Sequence, residues 1–165
     1  MNYNELEVDE KTTALERQLT AALCAEWLAY YQYWWAALVV EGIDGSSVAK
    51  HYEEHAEEEK EHIDALAKRM HQLGILPVFD PVSLSQLASC KYPKQIEHNV
   101  CNEKLLNQII IAEECAVCTY KTLLHYLSDD PVTTDVIVKI LANEEEHLSE
   151  MKRELRSVQY VHNKN

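Results

Sequence analysis

Glu59-Lys60-Glu61-His62 and Glu144-Glu145-Glu146-His147 decide how this chain is read. Both are Glu-x-x-His. On a helix, at 100° per residue, the two end residues lie about 60° apart and one turn along, so both reach one point from one face. Each motif sits in an apolar stripe of helical period: Tyr52, Ala56, Glu59, Ile63, Leu66, Met70 in one, and Ile137, Ile140/Leu141, Glu144, Leu148, Met151, Leu155 in the other. Two further stripes carry one glutamate each. They are Leu15, Leu19, Ala22, Glu26, Ala29/Tyr30, Tyr33, Ala37 and Leu106, Ile109/Ile110, Glu113, Ala116/Val117, Tyr120, Leu124.

One inward glutamate has a bland explanation as a satisfied polar core group. Four do not. A buried charge without a partner costs several kcal/mol, and four at one level also repel each other. No stripe supplies a lysine or arginine there, so a divalent metal is the economical counter-charge. Two helices with a lone Glu and two with Glu-x-x-His form the di-iron/di-manganese carboxylate pattern, and mixed oxygen and imidazole ligation suits Fe or Mn. Either motif alone is weak. The segment from His51 to His62 is crowded with acids, Glu58 and His55 are one-residue alternatives, and Glu145 and Glu146 offer the same ambiguity. The reading rests on the four stripes agreeing. Tyr33 and Tyr120 follow Glu26 and Glu113 by seven residues on the same faces. They read as core, or as groups that hydrogen-bond the ligands or donate an electron. Trp34 and Trp35 read as core or subunit interface.

Sparse Gly and Pro leave four unbroken helical segments, at about 12–41, 47–73, 102–127 and 130–158. Gly74 suits the residue after the second helix, and Asp130-Pro131 suits the cap and first position of the fourth. Short links make two antiparallel hairpins. The 74–101 segment, with three prolines and a little helical pattern at 82–88, is long enough to travel back along the bundle. The expected fold is all-α: one domain over 1–165, a four-helix bundle over about 12–158 with one long crossover, and no fifth helix.

The chain has 165 residues, 47% of them hydrophobic, which suffices for a core. Lys+Arg 15 against Asp+Glu 28 gives −13, which argues against nucleic acid and anionic membranes as partners and suits cations. The acidic start, Met1 to Glu10, has neither the basic and apolar parts of a signal peptide nor a Lys-rich arm. Leu19–Val40 is long enough to span a bilayer, but Glu26 lies within it and its aromatics cluster mid-run. Cytoplasm is the expected compartment. Five cysteines (Cys24, Cys90, Cys101, Cys115, Cys118) do not look like a secreted disulfide framework. Cys115-Ala-Val-Cys118 lacks the second CxxC of a zinc ribbon, and these cysteines read on their own as small core residues.

Glu26-Trp-Leu-Ala-Tyr-Tyr-Gln-Tyr33 resembles the bacterioferritin first-helix motif Glu-x-x-Ala-x-x-Gln-Tyr. Glu113-Glu-Cys-Ala-Val-Cys-Thr-Tyr120 resembles its third-helix counterpart. The likeness to the ferritin superfamily covers about 12–155. Cys90, Ala112-Glu113-Glu114-Cys115-Ala116 and Asp130-Pro131-Val132-Thr133 are similar to the Dps-like ferritins, or thioferritins. The resemblance implies a ferroxidase: two Fe ions per subunit (or Mn) held by Glu26, Glu59, His62, Glu113, Glu144 and His147, with Glu59 or Glu144 bridging. It implies oxidation of Fe(II) with hydrogen peroxide or O2, ferric storage, protection from oxidative stress, and a homo-oligomeric shell of twelve subunits. It also implies that Cys90 and Cys115 are a redox-active thiol pair or disulfide near the metals, with Tyr33 and Tyr120 supporting the ligands. Helical geometry sets Cys115 about 200° from Glu113, so the two do not point into one cavity.

Departures from the family matter too. Lys60 stands where bacterioferritin has its haem methionine, so no haem is expected. The ligands are expected within one bundle and not between subunits. The rival readings are a non-storage oxidoreductase (rubrerythrin-like peroxidase or manganese catalase) and a metal-free helical interaction module. The absence of a rubredoxin-type double CxxC weighs against the peroxidase.

Overall fold

The computed structural model describes residues 10–41, 45–78, 80–92, 102–127 and 129–162, with side chains from residue 14 on. The described residues form α1 (Glu10–Val39), α2 (Gly45–Gln72), α3 (Pro81–Leu87), α4 (Asn102–Leu124) and α5 (Pro131–His162), with no strand among them. α1 packs on α2 and α4 on α5 as the two hairpins. The pairs meet through α1–α4 and α2–α5, and α3 lies against α1. Five helices are thus present where four were expected, so the expectation of no fifth helix does not hold as a count. The additional one is the seven-residue α3 inside the crossover, where the sequence showed a short helical pattern.

The termini follow local chemistry. Gly74, at φ 77°, ends α2. The Gly74 N–H bonds to the His71 carbonyl and the Ile75 N–H to the Met70 carbonyl, two closing bonds that need a left-handed residue between them. Asp80 accepts from the Val82 N–H and caps α3, and Pro81 supplies its preset φ. Asp130 accepts from the Thr133 N–H at 2.9 Å and opens α5, while Arg69 grips the same carboxylate at 2.9 and 3.1 Å and ties the end of α2 to the start of α5. α4 stops three residues before the expected Leu127, because N–H groups 125 to 127 bond to carbonyls three residues back, not four. α5 continues past the expected 158, where Gln159 bonds to Glu103 of α4 at 2.8 Å.

Two apolar clusters fill the bundle. One gathers Leu19, Leu23, Ile63, Leu66, Met70, Tyr120, Leu123, Ile137 and Ile140. The other gathers Tyr33, Tyr52, Ala56, Leu106, Ile109, Ile110 and Met151. Every long helix contributes to both, and in every one the stripe's glutamate lies between its two contributions. The fold therefore sandwiches a polar layer between dry cores, each of whose large side chains contributes about 1.5–3 kcal/mol on burial.

α1 is apolar on its outer side as well: Trp27, Tyr31, Trp34 and Leu38 form an exposed stripe, 40–66% accessible. This accounts for the long apolar run without a bilayer. No helix among the described residues is long and apolar enough to cross a membrane.

Candidate metal centre

The middle layer holds Glu26 from α1, Glu59 and His62 from α2, Glu113 from α4, and Glu144 and His147 from α5. None is more than 6% exposed. All six residues named from the sequence thus come together. The alternatives separate: Glu145 and Glu146 are exposed, and Glu58 lies behind His147, not among the six.

The six form two overlapping groups. Glu26, Glu59, His62 and Glu144 each place one ligand atom within 4.8 Å of the others, and so do Glu59, Glu113, Glu144 and His147. Glu59 and Glu144 belong to both. Their oxygens divide accordingly. His62 Nδ1 stands 3.3 Å from Glu59 Oε2 and 2.9 Å from Glu144 Oε1. His147 Nδ1 stands 3.3 Å from Glu59 Oε1 and 4.0 Å from Glu144 Oε2. Glu26 closes the first group, 3.2 Å from His62, and Glu113 the second, 3.9 Å from His147. Two carboxylates that each offer one oxygen to either side have the arrangement that bridging between two neighbouring cations requires.

The residues fit metal better than they fit one another. Glu59 Oε1, Glu113 Oε2, Glu144 Oε1 and His147 Nδ1 are buried and have no hydrogen bond. They are near polar neighbours but not aligned with them, as expected of atoms aimed at a common centre. Among the described residues no lysine or arginine pairs with these carboxylates; their ion-pair partners are His62 and His147.

Two tyrosines orient the lone glutamates. Tyr33 donates to Glu113 at 2.6 Å and Tyr120 to Glu26 at 2.5 Å. Burial, then the neighbouring carboxylates, holds both phenols protonated well above their usual range, so they act as donors.

Protons occupy the metal-free layer. Burial, then the charge of Glu26, raises Glu59 well above the usual carboxylate range. Burial, then Glu144, does the same to Glu113. Burial, followed by Glu59 and Glu26, pushes Glu144 up to about 8. Glu26 goes the other way: burial opposes it, but the bonds from His62 and Glu59 outweigh burial and hold it low. His62 is raised despite burial, because Glu144, Glu26 and Glu59 all face it. An imidazolium and several carboxylic acids thus stand where two cations would otherwise balance the charge.

Cys90 and Cys115 form a disulfide, Cα–Cα 5.7 Å, that ties the crossover to α4. A cavity of about 20 Å³, room for one water-sized molecule, lies between it and the carboxylates. Glu26, Glu59, Glu113 and Glu144 line it together with Cys90, Lys91 and Tyr92, and the small side chains of Ala25, Ala29, Ala112 and Ala116 leave the space open. Cys90 reaches this cavity and Cys115 does not, as the 200° offset from Glu113 requires. Cys24 is buried and free. Cys118 is exposed, which corrects its reading as a core residue, because α4 turns that position outward. Cys101 lies outside the described residues.

Gln32, buried and lining the cavity, and the layer of His51, His55, Glu58 and Glu150 beyond His147 were not assigned from the sequence. Gln32 stands in the quoted first-helix motif, which was the available signal. His55 is stacked on Tyr33, and burial, then His147 and His51, brings its pKa down to about 3, so its ring is neutral.

Comparison with known proteins agrees with this fold. The model of the ferritin-like domain matches residues 16–161. The "DNA protection during starvation protein" of Pyrococcus furiosus is 31% identical over 130 residues, 78% of this chain and 70% of that one. Among solved structures, a dodecameric thioferritin, the bacterioferritin-related protein of Bacteroides fragilis, is 40% identical with a TM-score of 0.86, covering 92% of this chain and 90% of that one. Dps from Thermosynechococcus elongatus shares the fold at 18% identity, with a TM-score of 0.82 over 88% of this chain and 92% of that one. With its helices, its carboxylate layer and these relatives in agreement, the chain belongs to the ferritin superfamily, among the Dps-like ferritins.

Proposed function

We propose that the chain is a ferroxidase of an iron-storing mini-ferritin. Its substrate is Fe(II), two ions at a time, held by Glu26, Glu59, His62 and Glu144 on one side and by Glu59, Glu113, Glu144 and His147 on the other. The observation that carries this is the division of the Glu59 and Glu144 oxygens between the two groups. Each Fe(II) loses one electron. Hydrogen peroxide accepts both, its O–O bond breaks, and two hydroxide equivalents result; O2 taking the same two electrons and two protons leaves as peroxide.

The protein's part is proton and charge management. Entry of the two cations displaces the protons on Glu59, Glu113, Glu144 and His62, and the carboxylates then favour the higher charge of the ferric product. Tyr33 and Tyr120 fix the lone glutamates so that geometry survives the exchange. The alanine-lined cavity, with room for one water-sized molecule beside the carboxylates, marks the side from which the oxidant approaches. The disulfide sets Cys90 in the wall of the same cavity, and the reduced Cys90–Cys115 thiol pair is assigned here as a second source of electrons for the oxidant.

The outer aromatic stripe of α1 suits burial against another copy, and the dodecameric Bacteroides fragilis relative supports a shell of twelve for this chain too. Protection here is chemical, by removal of Fe(II) and peroxide; at −13 the chain is ill suited to coat DNA.

Stopped-flow absorbance of ferric product tests the reading. Glu59→Ala and His147→Ala are expected to reduce rapid oxidation to the rate of Fe(II) in buffer. Unchanged rates in the folded double variant would overturn the proposal, and O2 evolution from peroxide without Fe(II) would favour a catalase instead.

A further inference from the structure

Outside the centre just described, a second set of imidazoles converges. His51 and His55 lie one turn apart on α2, so their rings share a face. Their Nε2 atoms are 3.0 Å apart. Glu150 Oε2, from α5, stands 3.2 Å from His51 Nε2 and 3.5 Å from His55 Nε2. Donors at about 2.1 Å from one cation lie roughly 3.0–3.4 Å from each other in octahedral or tetrahedral coordination, so this triangle already has the required size.

The far nitrogens point the same way. Histidines that bind metal usually turn their other ring nitrogen to a carboxylate, which fixes tautomer and orientation. His51 Nδ1 faces Glu154 Oε2 at 3.5 Å, and His55 Nδ1 faces Glu58 Oε2 at 3.3 Å. His55 is 3% exposed, and its Nδ1 has no aligned hydrogen bond. Glu58 Oε2 also sits 2.9 Å from His147 Nε2, the far nitrogen of a histidine of the dinuclear layer. One carboxylate therefore backs a histidine of each cluster. The other oxygen of Glu150 meets Arg153 at 3.3 Å.

We propose that His51, His55 and Glu150 form a third cation site, for a divalent transition metal such as Zn(II) or Fe(II), coupled to the dinuclear centre through Glu58. Two imidazoles and one carboxylate select such metals over Mg(II) or Ca(II). The His51 and Glu150 side chains are 33% and 28% exposed, so the ion keeps water ligands and exchanges with solvent. Glu58 is a positioning residue for both sites.

Zn(II), which is redox-silent, is the probe, titrated into the assembled full-length protein by equilibrium dialysis and located by anomalous scattering at its absorption edge. Three Zn(II) per chain are expected in the wild type. His51→Gln and Glu150→Gln, partly exposed and of similar size, are each expected to bind two, with the peak between α2 and α5 gone. Glu59→Gln/Glu144→Gln is expected to keep that peak, and Glu58→Gln to weaken both sites by about 10–100-fold. A single Zn(II) that His51→Gln abolishes would uphold this site while defeating the dinuclear reading. Two Zn(II) in the wild type, both in the dinuclear layer, or a third that survives both His51→Gln and Glu150→Gln, would overturn the proposal.

Discussion

Replacing Glu144 by glutamine sets stability against function in opposite directions. Glu144 is 1% exposed, and burial, with Glu59 and Glu26 nearby, pushes its carboxyl up to about 8 from an ordinary 4.5. The folded metal-free chain therefore holds this proton more tightly than the unfolded chain. The associated stability is fully present below about 4.5 and is lost as pH rises towards 8. At about 1.4 kcal/mol per pH unit, raising pH from 4.5 to 7 removes about 3 kcal/mol. Glu144→Gln has no proton to lose, and its amide matches the carboxyl in size, so the packing of the layer is kept. At about 2–4 °C per kcal/mol for a chain of this size, the metal-free variant should unfold about 6–12 °C above the wild type at pH 7. At pH 5 the two should nearly coincide. Mn(II) reverses the order: a ligand at 100 times its Kd adds about 2.7 kcal/mol per site, and the variant lacks a carboxylate common to both groups. Scanning calorimetry with and without Mn(II), at both pH values, reads all of this. A metal-free variant no more stable than wild type at pH 7, with an undiminished Mn(II) shift, would refute the reasoning.

Three further outcomes follow from the same geometry. Tyr33→Phe and Tyr120→Phe each remove a buried hydrogen bond to a carboxylate; each should cost about 1.5–3 kcal/mol in urea unfolding and slow iron oxidation, and unchanged values in both would contradict the orienting role. Mn(II) binding at pH 7 should release more than one proton per chain in a pH-stat, since Glu59, Glu113, Glu144 and His62 are all raised; no release would show the layer to be already ionised. A non-reducing peptide map should recover Cys90 joined to Cys115, and reduction should lower stability by about 3 kcal/mol for a loop of this length; free thiols at both positions would contradict the pairing.

The bundle was legible because α1, α2, α4 and α5 repeat one rule, an apolar stripe interrupted once by glutamate. The phase of Glu26, Glu59, Glu113 and Glu144 alone placed them at one level. Neighbours such as Glu145 and Glu146 share composition but not phase, and they lie outside. What was not legible depends on distances across the bundle. Spacing along α2 presents Glu58 as one acid in a crowded run; only the approach of α5 makes it the partner of His147. His51 needs Glu150 and Glu154, far along the chain, before its position has meaning. The division of the Glu59 and Glu144 oxygens is likewise a property of packing. The C-terminal helix ends shifted by one to four residues, the two largest shifts because the end of α4 tightens its hydrogen bonds and that of α5 finds Glu103.

The most direct test is anomalous scattering at the iron edge from crystals soaked anaerobically in Fe(II). The account requires two iron peaks inside each bundle, one among Glu26, Glu59, His62 and Glu144 and one among Glu59, Glu113, Glu144 and His147, with Glu59 and Glu144 touching both. Iron found only on acidic surfaces, with the six side chains still paired to one another, would contradict it.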